Sequence, residues 1–207
     1  MNRKAVIFGI KGYALSRNEK ALFKKEKPWG IILFSRNIRD MNQLKKLIDN
    51  IRNIHKDKKY PILIDEEGGK VSRLKNIIDF SLFPPNYFTK LYLKDRKNFL
   101  NYYKIYINTV SSILNDVGVN INTVPVLDVR SKKGHKIIGD RAFSYNPAVV
   151  SKLGNLCINL YKDNKIATVM KHIPGHGLST YDSHYKTPII NESKENLKRK
   201  DFSPFKN

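Results

Sequence analysis

The highest concentration of chemically capable side chains lies in residues 171–184, KHIPGHGLSTYDSH. These fourteen residues include three histidines, one lysine and one aspartate. His172 and His176 are four residues apart, which is the spacing of a zinc-binding pair on a helix. Pro174 and the two glycines near it disfavour a continuous helix there. We therefore expect a glycine-rich loop that lets the backbone approach a ligand, and we expect no metal site.

Asp182 and His184, near the end of this loop, could form an acid/base pair. A carboxylate beside a histidine fixes the tautomer of the imidazole and raises its pKa, which keeps a proton available near neutral pH. The competing interpretation is that Asp182 caps a turn and that His184 is an ordinary surface residue. Local chemistry leaves both interpretations open.

A second polar segment, PILIDEEGGKVSRL from Pro61, places Asp65 at the end of an apolar run and Arg73 shortly after it. A carboxylate at this position can accept hydrogen bonds from sugar hydroxyls, and arginine offers a rigid fork of donors. The alternative is a solvated acidic turn in which Arg73 is a salt-bridge partner. The Glu66-Glu67-Gly68-Gly69 turn between them has no phosphate-loop pattern.

A third segment is NTVPVLDV from Asn122, which IIGDRAFSYNP follows from Ile137. It places Asp128, Asp140 and Arg141 after another apolar run. This segment alone is a weak signal, but it repeats the arrangement in which polar groups follow a strand.

The elements that must position these residues alternate along the chain. Short apolar β-rich runs alternate with helical periodicity, which indicates βα units and a parallel sheet. A doubly wound sheet and a (β/α)₈ barrel both fit, but polar groups gathered after several strands favour the TIM barrel. A complete barrel needs roughly 250 residues, so we expect an incomplete one with about five or six βα units. The predicted strands are Ala5 to Ile10, Gly30 to Phe34, Pro61 to Asp65, Asn120 to Val124 and Ile166 to Met170.

Three long helices are predicted between these strands. The first has an apolar stripe from Leu44 to Ile54 with Asp40 or Asn42 as its N-cap. The second has a longer aromatic and aliphatic stripe from Phe99 to Val117 and ends at Gly118. The third follows the pair Asn146-Pro147 and runs to about Lys162. A further short helix is expected after Glu192.

Composition limits the class of protein. The 207 residues suit one domain, and the single cysteine, Cys157, excludes an intramolecular disulfide and fits a packed thiol in a reducing compartment. The N-terminus lacks the apolar stretch of a secretory signal, and no run approaches the ~20 residues of a membrane span. We therefore expect a cytoplasmic protein without a membrane partner.

The net charge of +21 raises nucleic acid as a possible partner. The lysines occur in short groups along the whole chain, which is typical of a solvated surface, and no nucleic-acid-binding signature accompanies them. We expect no specific nucleic-acid function, although a basic nucleic-acid-binding protein remains the alternative from another class.

Taken in order, five segments resemble the family 3 glycoside hydrolases of the bacterial β-N-acetylhexosaminidase type. The resemblance covers nearly the whole chain, so residues 1–207 would form a single N-terminal TIM-barrel domain of that family. The matching segments are GIILFSRN from Gly30, LIDEEGGKVSRL from Leu63, VPVLDV from Val124, IGDRAFS from Ile138, and KHIPGHG with DSH from Lys171.

The resemblance implies an activity and a set of site residues. Such enzymes act in the cytoplasm in peptidoglycan recycling and remove terminal N-acetylglucosamine from muropeptides with retention, without a cofactor. His184 would be the acid/base, paired with Asp182. This departs from the usual scheme, in which a second carboxyl group donates the proton. The sugar ligands would be Asp65, Arg73, Arg141, Lys171 and His172.

Three departures from the family pattern are visible. Glu66 and Lys70 stand where the family usually has glutamine and arginine, and Gly177-Leu178-Ser179 replaces the usual Gly-Asp-Thr. The family's aspartate nucleophile lies on a later strand, and no residue here matches it. We therefore expect this chain alone to have little or no hydrolase activity. The alternative is a non-catalytic sugar-binding remnant, and the oligomeric state stays open.

Overall fold

The computed structural model describes residues 3–132 and 134–206 and contains one parallel sheet. Its five strands lie in chain order, so each strand pairs with the next one in the sequence. All five predicted strands are confirmed, and all the pairings are parallel. The strands are β1 (Lys4–Gly9), β2 (Pro28–Leu33), β3 (Ile62–Ile64), β4 (Ile121–Asn122) and β5 (Ala167–Thr168).

Helices separate the strands and pack against the sheet. The three long predicted helices are confirmed, as are the cap at Asp40, whose side chain accepts from the backbone N–H of Gln43, and the end at Gly118. The short helix near the C-terminus is confirmed too. The helices are α1 (Arg17–Glu26), α2 (Met41–His55), α3 (Pro85–Lys94), α4 (Arg96–Val117), α5 (Pro147–Asp163) and α6 (Lys194–Arg199).

Two helices, α1 and α3, are not predicted by the apolar periodicity. α1 is mostly polar and buries only Phe23, so it lacks an apolar stripe. Its signal is a capping box, in which the hydroxyl of Ser16 accepts from the N–H of Glu19 and the carboxylate of Glu19 accepts from the N–H of Ser16. α3 begins at Pro85, where proline suits the first turn of a helix.

This order of strands and helices is that of a (β/α)₈ barrel with five of its strands. The described sheet runs from β1 to β5 without a strand-order reversal, so a doubly wound sheet, which needs such a reversal, is excluded. The α/β barrel prediction is therefore confirmed as an incomplete barrel. No helix in residues 3–132 and 134–206 has both the length and the apolar character to cross a bilayer.

The core lies between the sheet and the helices. Its centre is formed by fully buried aliphatic residues such as Leu33, Ile48 and Ile64. Cys157 on α5 is buried, and burial raises the pKa of its thiol to about 12. A thiol with so high a pKa is not ionised at neutral pH, which confirms the prediction of a packed cysteine.

Replacement of Ile48 by alanine should destabilise the fold, because Ile48 is fully buried in α2 against the end of α4 near Gly118. The lost contacts and the remaining cavity should cost about 2–5 kcal/mol of unfolding free energy. Urea denaturation measures the change. The control is Ile105→Ala on α4, where the side chain is 61% exposed and the cost should stay below about 1 kcal/mol. Equal losses in the two variants would contradict this packing.

Candidate active site

The polar residues that follow β3, β4 and β5 meet at the carboxyl-terminal edge of the sheet. Asp65 follows β3, Thr123 follows β4, and Lys171 lies three residues beyond β5. Parallel strands direct these ends to the same rim, which is where barrels place their active sites. The rim borders an open cleft of about 590 Å³.

Asp65 has two hydrogen-bond donors and one more distant cation as partners in this cleft. The ammonium of Lys171 lies 2.8 Å from Oδ1, the hydroxyl of Thr123 donates to the same oxygen, and the guanidinium of Arg73 lies 3.7 Å from Oδ2. Burial alone would raise the pKa of Asp65, but the charge of Lys171 and these hydrogen bonds outweigh it and hold the pKa below its usual value. Asp65 is therefore a carboxylate near neutral pH.

Glu67 is a second carboxylate at the rim, and its side chain has no exposed surface. Arg141 donates to its two oxygens over 2.7 and 3.0 Å, and Lys171 lies 2.6 Å from Oε1. Burial would lower the pKa of Arg141, but the bond and charge of Glu67 raise it overall. Lys171 thus bridges Asp65 and Glu67, and every charge in this cluster has a partner of opposite sign.

His172 is fixed by Asp128, which is fully buried. Nδ1 of His172 lies 2.6 Å from Oδ2 of Asp128, and the other carboxylate oxygen accepts the backbone N–H of His176 over 2.7 Å. A carboxylate at Nδ1 selects the tautomer with its proton there. Nε2 is then the acceptor nitrogen, and it lies 3.5 Å from the guanidinium of Arg141.

Asp182 and His184 form the contact that the sequence predicts. Oδ1 of Asp182 accepts from the backbone N–H of His184 over 2.9 Å and lies 2.7 Å from its Nδ1. These hydrogen bonds hold the pKa of Asp182 below its usual value. The carbonyl of Asp182 also accepts two backbone donors, so the residue closes a turn as well. The imidazole of His184 is 77% exposed and lines the cleft. These contacts of Asp182 and His184 are compatible with both interpretations, an acid/base pair and a turn cap.

The structure brings six of the seven predicted site residues around one cleft. Asp182 lies behind His184 and does not line the cleft itself. Two polar groups of the site are not predicted from the sequence. They are the carboxylate of Glu67, which the sequence pattern places in a turn, and the hydroxyl of Thr123. Asp128 has no predicted role either, although this residue follows a buried strand. The six lining residues are Asp65, Arg73, Arg141, Lys171, His172 and His184.

Glu66 points away from the cleft into the interior and is fully buried. Its Oε2 accepts from the backbone N–H groups of Arg73 and Leu74 over 2.7 and 3.0 Å and from the hydroxyl of Ser72 over 3.2 Å. Its Oε1 has no partner among the described residues, and Glu66 borders a cavity of about 20 Å³ beside Tyr106. Burial raises the pKa of Glu66 to about 7.

The four-residue spacing of His172 and His176 is that of a helical zinc pair, but the two residues do not lie on a helix. Within residues 3–132 and 134–206, no three histidine, cysteine or carboxylate side chains converge as ligands for an ion. His172 and His176 have ring centroids 6.2 Å apart and rings at a steep angle, on an irregular loop. The four-residue spacing therefore does not produce a helical metal pair.

Glu66→Gln should change how stability depends on pH. The pKa of Glu66 is about 7 in the folded chain and near 4.5 when unfolded, so ionisation costs stability as the pH rises through this window. The unfolding free energy of the wild type should fall by roughly 2–3 kcal/mol more between pH 5 and 8 than that of the variant. Urea denaturation across this range measures it. Glu195→Gln, at an exposed site on α6, is the control. If the unfolding free energy of Glu66→Gln falls with pH as steeply as that of the wild type, the assignment is refuted.

Glu67→Gln should destabilise the fold strongly, because it leaves Arg141 and Lys171 without their shared buried carboxylate. Removal of one partner of a buried ion pair lowers the unfolding free energy by about 3–5 kcal/mol. Denaturation at pH 7 measures the loss. The matched control is Glu26→Gln, which removes an exposed pair with Lys4 and should have a much smaller effect. Similar stabilities of the two variants would contradict a central role for Glu67.

Comparison with known proteins identifies the family. Residues 4–207 match the family described as "Glycosyl hydrolase family 3 N terminal domain". A curated β-hexosaminidase from Photobacterium profundum is 34% identical over 203 residues, which covers 97% of this chain and 57% of the relative.

Two solved structures of NagZ from Neisseria gonorrhoeae share the fold. The native structure has a TM-score of 0.88 at 28% identity and covers 98% of this chain and 58% of that one. The complex with N-trifluoroacetyl-D-glucosamine has a TM-score of 0.83 at 28% identity, with 98% and 59% covered. The chain therefore spans little more than half the length of these relatives. The match over residues 4–207, together with the barrel and its rim, shows that the chain belongs to glycosyl hydrolase family 3.

Proposed function

We propose that this chain forms the sugar-binding and acid/base part of a β-N-acetylhexosaminidase that releases terminal N-acetylglucosamine with retention. The observation that carries the proposal is the convergence of Asp65, Arg73, Arg141, Lys171 and His172 around one cleft, with His184 at its border. The neighbour bound to N-trifluoroacetyl-D-glucosamine supports a hexosamine as the ligand of this fold.

The charged residues would bind hydroxyl groups of the sugar. Asp65 is ionised and its Oδ2 has only the distant guanidinium of Arg73 as partner among the described residues, so it can accept from a hydroxyl. Nε of Arg73 is buried and has no hydrogen-bond partner among the described residues. Lys171 donates to the other oxygen of Asp65. The cluster thus offers acceptors and donors in fixed positions, which is what recognition of a polyhydroxyl ring requires.

His184 would exchange the proton with the glycosidic oxygen. Asp182 engages Nδ1, which leaves Nε2 available for proton transfer. The carboxylate of Asp182 orients the imidazole ring, as in other carboxylate-histidine pairs. The high exposure of His184 is compatible with a loop that closes over the sugar when it binds.

Retention also requires a nucleophile, and the two carboxylates that line the cleft already pair with cations. Asp65 and Glu67 are both bound to Lys171, and Glu67 also binds Arg141. In this proposal Asp65 binds a sugar hydroxyl and Glu67 pairs with two cations, so neither carboxylate is assigned the role of nucleophile. We therefore propose that the nucleophile is not among the described residues and that this chain alone binds sugar without efficient turnover.

The natural substrate in this proposal is a muropeptide from peptidoglycan, processed in the cytoplasm. This part rests on the ordered motif resemblance, which extends from Gly30 to the DSH sequence at Asp182. The proposal requires no metal, cofactor, nucleic acid or membrane.

Calorimetry with N-acetylglucosamine tests the proposal. The folded wild-type chain should bind the sugar, and Arg73→Gln and Lys171→Met should each weaken binding at least about tenfold, because charged hydrogen bonds contribute roughly 1.5–3 kcal/mol. Lys162→Met is the matched control at the far end of α5, with unchanged affinity expected. Circular dichroism verifies that each variant is folded.

Absence of binding by the folded wild-type chain would refute the proposed function. A parallel assay with a chromogenic N-acetyl-β-glucosaminide should show little turnover. Rapid hydrolysis that His184→Ala abolishes would support the acid/base role but overturn the proposal about the nucleophile.

A further inference from the structure

Glu66 is the acceptor for the turn formed by residues 72–74. Its Oε2 accepts from the backbone N–H groups of Arg73 and Leu74 over 2.7 and 3.0 Å and from the hydroxyl of Ser72 over 3.2 Å. Ser72 and Leu74 are buried, so this part of the turn lies away from bulk water. Backbone donors in the interior of a protein need a partner. The conformation of the turn therefore depends on the carboxyl group of Glu66.

Arg73 reaches the cleft from this turn. Its guanidinium lies 3.7 Å from Oδ2 of Asp65 and 5.7 Å from the centre of the Phe34 ring. The contact with Asp65 is longer than a normal hydrogen bond, and Nε of Arg73 has no partner among the described residues. Because these side-chain contacts are loose, the position of the guanidinium in the cleft depends on the backbone that Glu66 holds.

The groups that face Glu66 from the helices behind it are neutral. Burial raises the pKa of each tyrosine hydroxyl there well above its usual value and that of the thiol to about 12, so none of them ionises near pH 7. The donors of the turn are neutral as well. The titratable side chains that border the small cavity beside Glu66 are Glu67, Tyr103 and Tyr106 on α4, and Cys157 and Tyr161 on α5.

An ionised Glu66 therefore has no cation to balance its charge. Lys171 pairs with the carboxylates of Asp65 and Glu67, and Arg141 pairs with Glu67. Oε1 of Glu66 has no partner among the described residues, and the cavity of about 20 Å³ beside it has space for about one water molecule. A buried charge without a cation or full hydration is costly, and opening the turn to water relieves this cost. Burial raises the pKa of Glu66 to about 7, so both forms are populated near neutral pH.

We propose that Glu66 is a positioning residue for sugar binding and that its protonation state controls the affinity of the cleft. The neutral carboxyl group holds the turn 72–74 and keeps Arg73 beside Asp65. When Glu66 loses its proton, the turn opens, Arg73 leaves its place and the sugar binds more weakly. By linkage, a bound sugar makes Glu66 harder to deprotonate. This inference rests on the proposed function of the cleft and adds a pH dependence that originates in the interior, since Glu66 does not line the cleft.

Ligand-observed NMR with N-acetylglucosamine tests this coupling, because the method measures weak binding. The affinity of the full wild-type chain should fall about tenfold between about pH 5.5 and 8.5, which is the effect of losing one charged hydrogen bond. Glu66→Gln keeps a neutral carbonyl oxygen as acceptor for the turn but has no proton to lose. Its affinity should stay near the low-pH value of the wild type over the whole range. Glu66→Ala, which lacks the acceptor, should bind weakly at every pH.

Two controls assign the pH dependence to Glu66. His172 and His184 line the cleft, and histidines change charge in this range. Both are present in the wild type and in Glu66→Gln, so the difference between the two pH profiles reports Glu66 alone. Glu195→Gln, at an exposed site on α6, is the matched variant and should keep the wild-type profile. Circular dichroism at each pH verifies that every variant is folded.

The route through Arg73 has its own test. In a chain that already carries Arg73→Gln, the further substitution Glu66→Gln should no longer change the pH profile, because the side chain that the turn positions is absent. If the two profiles still differ as much as they do with Arg73 in place, the effect does not pass through Arg73 and the proposal is overturned.

The outcomes separate this inference from the proposed function. If the wild type binds the sugar and has the same pH profile as Glu66→Gln, the positioning role is overturned and the proposed function stands. If the folded wild-type chain binds no sugar at any pH, the proposed function fails and the positioning role fails with it. An affinity that falls with pH in the wild type, and that Glu66→Gln makes level only when Arg73 is present, supports both.

Discussion

The architecture of the rim depends on the ammonium group of Lys171. It lies 2.8 Å from Asp65 and 2.6 Å from Glu67, and Lys171 is the only described residue that binds both carboxylates directly. Asp65 and Glu67 follow β3, whereas Lys171 follows β5, so one cation joins the ends of two strands that are separated by β4 in the sheet. Because Glu67 has no exposed surface, it requires such partners, and without them a buried carboxylate would be strongly destabilising.

This constraint explains how the rest of the site is arranged. Arg141 binds the other side of Glu67 and approaches His172, whose ring Asp128 fixes from behind. Asp65 then remains ionised at the open side of the cluster, where it lines the cleft. The charges neutralise one another in the interior and leave acceptors and donors at the surface. A ligand with many hydroxyl groups can satisfy both kinds of group without bringing a charge of its own.

Much of the fold is predictable because it depends on periodic patterns. The five strands and the long helices α2, α4 and α5 follow from apolar spacing and from caps at Asp40, Gly118 and Asn146. α1 escapes prediction because its ten residues bury a single side chain, so its stability depends on capping and on the contact of Phe23 with the core. The candidate ligands are predictable as residue types after strands. Their pairing is not, since Lys171 and Asp65 are 106 positions apart in the sequence.

Glu66 and Glu67 show why local sequence cannot assign such roles. The two carboxylates are adjacent and follow the same strand, and the alternation of side chains along an extended chain sends them to opposite sides. Glu67 meets two cations at the rim, whereas Glu66 meets only neutral donors and a small cavity beside Tyr106. The backbone donors of Arg73 and Leu74 bind Glu66, so this buried residue also fixes the turn from which Arg73 reaches Asp65. The interior carboxylate thus positions a side chain that the rim carboxylate cluster uses.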